Sequence, residues 1–147
     1  MKQNNRWLVL VMLLTAVLWL TACGGEEGPT KIEPAQLEPV AGTDFNRVTL
    51  TERAAQRLGI ESEPVATMTG GSQLTIPYAA LLYGLNGETW VYVRNPGADS
   101  LTFVREVVVV DHIDGDTAVL TDGPAIGTEV VTVGVAELFG TDTGVGK

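Results

Sequence analysis

The chain has 147 residues and carries Lys+Arg 9 against Asp+Glu 18, a formal net charge of −9. A surface of that sign repels phosphate backbones and anionic headgroups, which excludes nucleic-acid binding and membrane attachment through a basic patch. One cysteine excludes an intramolecular disulfide, and the length leaves room for one sizeable domain once the first stretch is set aside.

Lys2 and Arg6 precede an apolar run from Trp7 to Leu20, broken only by Thr15. The run falls short of the about 20 residues a bilayer-spanning helix needs. A positive start, a short apolar run and small residues after it describe a secretory signal peptide over residues 1–22. Its end, Leu20-Thr21-Ala22-Cys23, resembles the lipobox of bacterial lipoproteins. The resemblance implies cleavage just before Cys23 and lipidation of that cysteine. The protein is then anchored at the extracytoplasmic face of the bacterial cell membrane. Cleavage takes away Lys2 and Arg6, leaving 7 basic residues against 18 acidic ones, a net charge near −11. The membrane is therefore reached through the lipid anchor, with more than one acyl chain for stable attachment.

Residues 24–47 carry Gly, Pro and Glu throughout and show no apolar period, so residues 23–47 are predicted to be the lipidated N-terminus and a flexible tether. The folded domain is predicted over 48–140. It opens with a short extended run, Val48-Thr49-Leu50, and a brief helix capped by Thr51, with Glu52 in its first turn. Leu50 and Ala55 take the staple positions, Ala54 and Leu58 share a face, and Gly59 takes the C′ position. Two turns with one apolar stripe must pack on something, and the sheet is what remains. Glu61 to Thr67 reads as a strand beginning at an edge, given Pro64, with Thr69-Gly70-Gly71-Ser72 as the turn after it.

The stretch from Ile76 to Val93 organises the rest. Asn86-Gly87 between aromatic and branched runs predicts a two-residue type I′ hairpin, because both residues tolerate φ > 0. That register sets Tyr83 opposite Trp90, Leu82 opposite Val91 and Leu81 opposite Tyr92. One face then carries Ala80, Leu82, Val91 and Val93, and the other carries Leu81, Tyr83, Trp90 and Tyr92. The aliphatic face reads as core. The aromatic face needs cover, from the short helix or from a partner, which makes Tyr83, Trp90 and Tyr92 the candidate partner-contact residues by type.

Asn95 to Asp99 is a turn, and Leu101 to Val110 is a long strand whose second half, Val107 to Val110, reads as covered on both faces. Asp114-Gly115 predicts a second I′ hairpin into Thr117 to Leu120. Glu129 to Val133 returns as a strand, Ala136 to Phe139 makes a final helical turn, and Thr141 to Lys147 is a polar tail. Short strands at regular spacing with turn signals between them give an all-β fold. It is a small barrel or roll of mostly antiparallel strands, with one short helix near its start.

The order of these segments is similar to the membrane-proximal domain of periplasmic adaptor proteins, the membrane fusion subunits of RND-type efflux pumps. The carrying residues are Leu50-Thr51, Leu58-Gly59-Ile60, Ile76-Pro77, Ala80-Leu81 and the run from Gly87 to Val93. Phe103-Val104-Arg105, Gly115-Asp116 and the run from Gly123 to Thr132 follow in the family's order, so the likeness covers most of the mature chain. The resemblance implies a partner, an inner-membrane efflux transporter, and a role in transmembrane transport. Full adaptors insert a β-barrel, a lipoyl-like domain and a helical hairpin between the two halves. Here only Ala66 to Thr75 lies between them. The expectation is a truncated or accessory adaptor that keeps the transporter-facing part.

Chemistry is sparse. His112 stands beside Asp111, Asp114 and Asp116, but the spacing does not fit an EF-hand loop, and Asp-Gly turns serve a hairpin anyway. Ser62, Ser72 and Ser100 lie in no nucleophile elbow and share a single histidine. Met68 is the only methionine left after processing, too few for a methionine metal site. The sequence thus predicts no enzyme, no cofactor and no metal. The competing expectation is a stand-alone envelope lipoprotein that binds a different ligand or partner through the same domain, since fold does not fix function.

Overall fold

The structure is a computed structural model and describes residues 33–95 and 101–144. The predicted signal peptide, Cys23, the greater part of the turn after Asn95 and the last three residues lie outside the described residues.

Order begins earlier than the sequence suggested. β1 (Ala35–Pro39) pairs antiparallel with β2 (Asn46–Leu50), with Ala35 opposite Leu50 and Leu37 opposite Val48. The tether assignment is therefore corrected for residues 35–47. Ala35 and Leu37 alternate with Gln36 and Glu38, a period-two pattern that the flanking Pro34 and Pro39 disguise as linker. Prolines are tolerated there because β1 is an edge strand.

α1 (Glu52–Leu58) forms as its caps dictate. Thr51 Oγ1 accepts from the Ala54 N–H at 3.2 Å, and Gly59 is left-handed at φ 61°. Gly59 N–H donates to Gln56 O and Ile60 N–H to Ala55 O, the two bonds of a Schellman ending. β3 (Glu61–Pro64) and β4 (Ala66–Thr67) follow with only Val65 between them. β3 pairs with β10 (Glu129–Val133), and β4 pairs with β5 (Leu74–Pro77). The chain changes partner at Val65, whose N–H donates to Thr128 O and whose carbonyl accepts from Gly127 N–H, both at 2.8 Å.

A 3-10 turn (Tyr78–Ala80) leads to β6 (Leu82–Tyr83), β7 (Thr89–Arg94), β8 (Thr102–Asp114) and β9 (Thr117–Asp122). The strand order β3-β10-β7-β8-β9-β5-β4 is antiparallel at every step. Because residues 61–67 stand at both ends of that order, the sheet is a nearly closed, barrel-like wall. β2 adds to it by pairing with the first residues of β8. The all-β expectation holds, with one correction. Residues 135–143 form a full helix, α2 (Val135–Thr143), where a single turn over Ala136 to Phe139 and a polar tail from Thr141 were expected.

Alternation along the strands gives two cores. Inside the wall lie Val65, Ile76, Ala80, Leu81, Val91, Val108, Ala118, Leu120 and Val130. On the outer face of β2, β7, β8 and β10 lie Val48, Leu50, Tyr92, Phe103 and Val131, covered by Ala55 of α1 and Val135 and Leu138 of α2. Fully burying a side chain such as Leu138 contributes about 1.5–3 kcal/mol. Among the described residues no helix is long and apolar enough to cross a membrane.

Candidate functional site

The hairpin that organises the chain differs in register from the expected one. Leu82 pairs with Trp90 and Tyr83 with Thr89, one residue away from the two-residue-loop register. Gly84 N–H donates to Glu88 O at 2.8 Å, and Gly87 N–H donates back to Gly84 O at 3.2 Å. Gly87 has φ 82° and among the described residues no non-glycine residue has positive φ, so Asn86 is not in the I′ conformation. The loop is Leu85-Asn86-Gly87, a tight turn followed by a glycine bulge. Trp90 helps to explain the choice, because its indole lies against Gly84. A Cβ there would stand 2.5 Å from Cη2.

A one-residue slip exchanges faces. Leu81 joins Val91 inside the wall, and Leu82 joins Tyr92 outside it, the reverse of the expectation. Tyr83 and Trp90 consequently lie on opposite faces. Tyr83 is 58 % exposed near the 3-10 turn, where partial burial and then the neighbouring Tyr78 raise its phenol above the ordinary value. Trp90 is half-buried, with its ring edge-on to Phe45 at 6.1 Å and 78°. Tyr92 is 0 % exposed and has no surface to offer. The set of three partner-contact candidates is thus divided, and Tyr92 is withdrawn from it.

What covers the aromatic face is a buried polar centre that the sequence did not announce. Arg105, paired across the sheet with Tyr92, is walled by three rings. Its guanidinium carbon lies 4.4 Å from the centroid of Phe45, 5.3 Å from Trp90 and 5.5 Å from Phe139. Arg105 Nε stands 2.7 Å from Asp142 Oδ2, but its N–H is not aligned on that oxygen, so the contact is ionic rather than a directed hydrogen bond. Tyr92 Oη donates to the same oxygen at 2.9 Å. Asn46 Nδ2 donates to Asp142 Oδ1 at 2.9 Å and to its backbone carbonyl at 3.1 Å. Burial, then the charge and hydrogen bond of Asp142, push the Tyr92 phenol well above its ordinary value, against a smaller opposing effect of Arg105.

This centre fastens the hairpin of β1 and β2, the central strands and α2 at one point. Its groups are paired with one another and shut away from water, an arrangement suited to holding rather than to proton transfer. The other residues with chemical potential are scattered. His112 Nδ1 lies 2.8 Å from the Asp111 carboxylate, which Gln73 Nε2 also reaches at 3.5 Å. Ser62 Oγ is buried without a hydrogen-bond partner among the described residues, Ser72 is exposed, and Ser100 lies outside them. Among the described residues no three His, Cys, Asp or Glu side chains come together to hold a metal ion.

The surface holds a second feature. Val107 is 53 % and Val109 49 % exposed, which corrects the expectation that Val107 to Val110 are covered on both faces. Val108 is buried and Val110 half-buried on the inner side, while α1, α2 and the first hairpin cover the outer face only up to Trp90. Trp90 pairs directly with Val107, so the rim of the indole and the two valines form one apolar strip. The chain matches no protein-family model, no curated protein and no solved structure.

Proposed function

We propose that this is a lipid-anchored envelope protein, an accessory or truncated adaptor that docks on the extracytoplasmic part of an inner-membrane efflux transporter. Cys23 carries the lipid, and the segment after it holds the barrel near the membrane. Anchoring raises the local concentration of the barrel at the transporter, so a modest interface suffices. The observation that carries the reading is the ordered series of segment likenesses from Leu50-Thr51 to the run ending at Thr132. The strip of Trp90, Val107 and Val109 supplies a contact surface of the right kind, large and apolar at the rim of a rigid sheet. Tyr83 remains a second exposed contact residue on the opposite face.

The test is mild crosslinking in intact cells followed by identification of what is attached. A transporter of the inner membrane supports the proposal. Recovery of a soluble ligand or an envelope polymer instead would favour the stand-alone lipoprotein.

A further inference from the structure

β8 outruns its neighbour. β7 begins at Thr89, which pairs with Val108, while β8 continues to Asp114 and is paired there, among the described residues, only with β9. The two neighbours lie on opposite edges. Val108 O accepts from Thr89 Oγ1 of β7 at 2.7 Å, whereas Val109 O accepts from Thr121 Oγ1 of β9 at 3.3 Å. Among the described residues no strand occupies the β7-side edge of residues 109–114. An open edge is a template for a further strand.

Three features of this edge select what can pair with it. The exposed Val109 offers an apolar contact on the outer face, and Ile113, opposite Ala118 beyond the register shifts at Val109–His112, offers one on the inner face. Between and beside them stand Asp111, Asp114 and Asp116, and residues 106–144 contain no lysine or arginine at all. Partial burial, then the neighbouring Asp122 carboxylate, raise the Glu106 carboxyl above the usual range, as expected where no cation offsets like charge. The described arginines lie elsewhere, at 47, 53, 57, 94 and 105. A second copy would bring aspartates against aspartates. The same carboxylates that discourage self-pairing attract a basic strand.

We infer that the free edge of β8, residues 109–114, takes up an extended, lysine- or arginine-bearing segment of a partner protein by strand addition. This goes beyond the docking proposal, which concerns the valine strip on the sheet face and does not require an added strand. The edge adjoins that strip, so one partner can engage both.

The probe is a synthetic peptide of alternating lysine and valine, added to the full chain in zwitterionic detergent. Backbone amide exchange is followed residue by residue. The expected result is slowing of about tenfold or more within 109–114, at the amides facing away from β9, and weakening in high salt. An alternating glutamate–valine peptide should leave these amides unchanged. The double variant Asp111→Lys with Asp114→Lys, both exposed, should keep its melting temperature and lose the effect. Absence of slowing, equal slowing by the acidic peptide, or slowing that depends on protein concentration without peptide would overturn the inference. None of these outcomes bears on whether a transporter is captured in cells.

Discussion

Arg105 and Asp142 set the terms at the scale of single residues. A guanidinium 9 % exposed between three rings is tolerable only while its carboxylate partner is in place. Asp142→Ala should therefore cost about 3–5 kcal/mol, measured by denaturant unfolding, because it strands a buried charge. Tyr92→Phe removes one donor from a carboxylate that keeps others and should cost about 1–2 kcal/mol. The same phenol predicts a pH effect with a definite sign. Its folded-state pKa lies above the ordinary 10.0, so the folded state holds the proton that the unfolded state releases. Its contribution is complete below pH 10 and is lost as the pH climbs above that value. Alkaline destabilisation should be shallower in Tyr92→Phe than in the parent. Equal slopes would contradict the assignment. None of this centre was legible in the sequence. Asp142 sits in a stretch of Gly, Thr and Asp that reads as a solvated tail, and its partners lie at Asn46, Tyr92 and Arg105, far along the chain. Local pattern does not encode contacts of that separation.

Elements were legible where the determinants are local. α1 follows from Thr51 and Gly59, and the inside–outside alternation of β7 follows from its own residues. The hairpin register did not follow, because Asn-Gly serves both a two-residue I′ turn and a three-residue loop with a glycine bulge. The difference lies in packing at Gly84, where the Trp90 indole needs the space a side chain would fill. The second hairpin shows a similar ambiguity. Its loop is Gly115-Asp116, and only Gly115 has positive φ, at 59°, the II′ pattern rather than I′. The first hairpin of the domain was missed because two prolines outweighed a four-residue alternation. Removing residues 33–45 therefore has an effect that loss of a tether would not. Leu37 leaves the outer core and Phe45 leaves the Arg105 box, so stability should fall by about 3 kcal/mol or more. An unchanged melting temperature would restore the tether. At the other end of the wall, Gly134 has φ 84° and its missing Cβ would run into Ile60. Gly134→Ala should cost about 1–3 kcal/mol in the same assay.

Residues 33–144 form a barrel-like wall with one face covered by the β1–β2 hairpin, α1 and α2, and among the described residues a strip of that face is left bare. The fold class was legible because turn signals and short strands recur along the chain. The candidate site was legible in part: Trp90 does border the bare strip, Tyr83 is exposed but faces away from it, and Tyr92 belongs to the core. The strip itself depends on how far α1, α2 and the first hairpin reach across the outer face, a tertiary property. Trp90→Ala would disturb the Arg105 box as well as the surface, so it cannot separate docking from folding. Exposed positions can. The most direct measurement places a photoreactive side chain at Val107, and in a second variant at Glu137, which is exposed on α2. After illumination of intact cells, the account predicts an inner-membrane transporter attached through position 107 and not through 137. Equal attachment from both positions, or no transporter from position 107 in a protein that folds and accumulates normally, would contradict it.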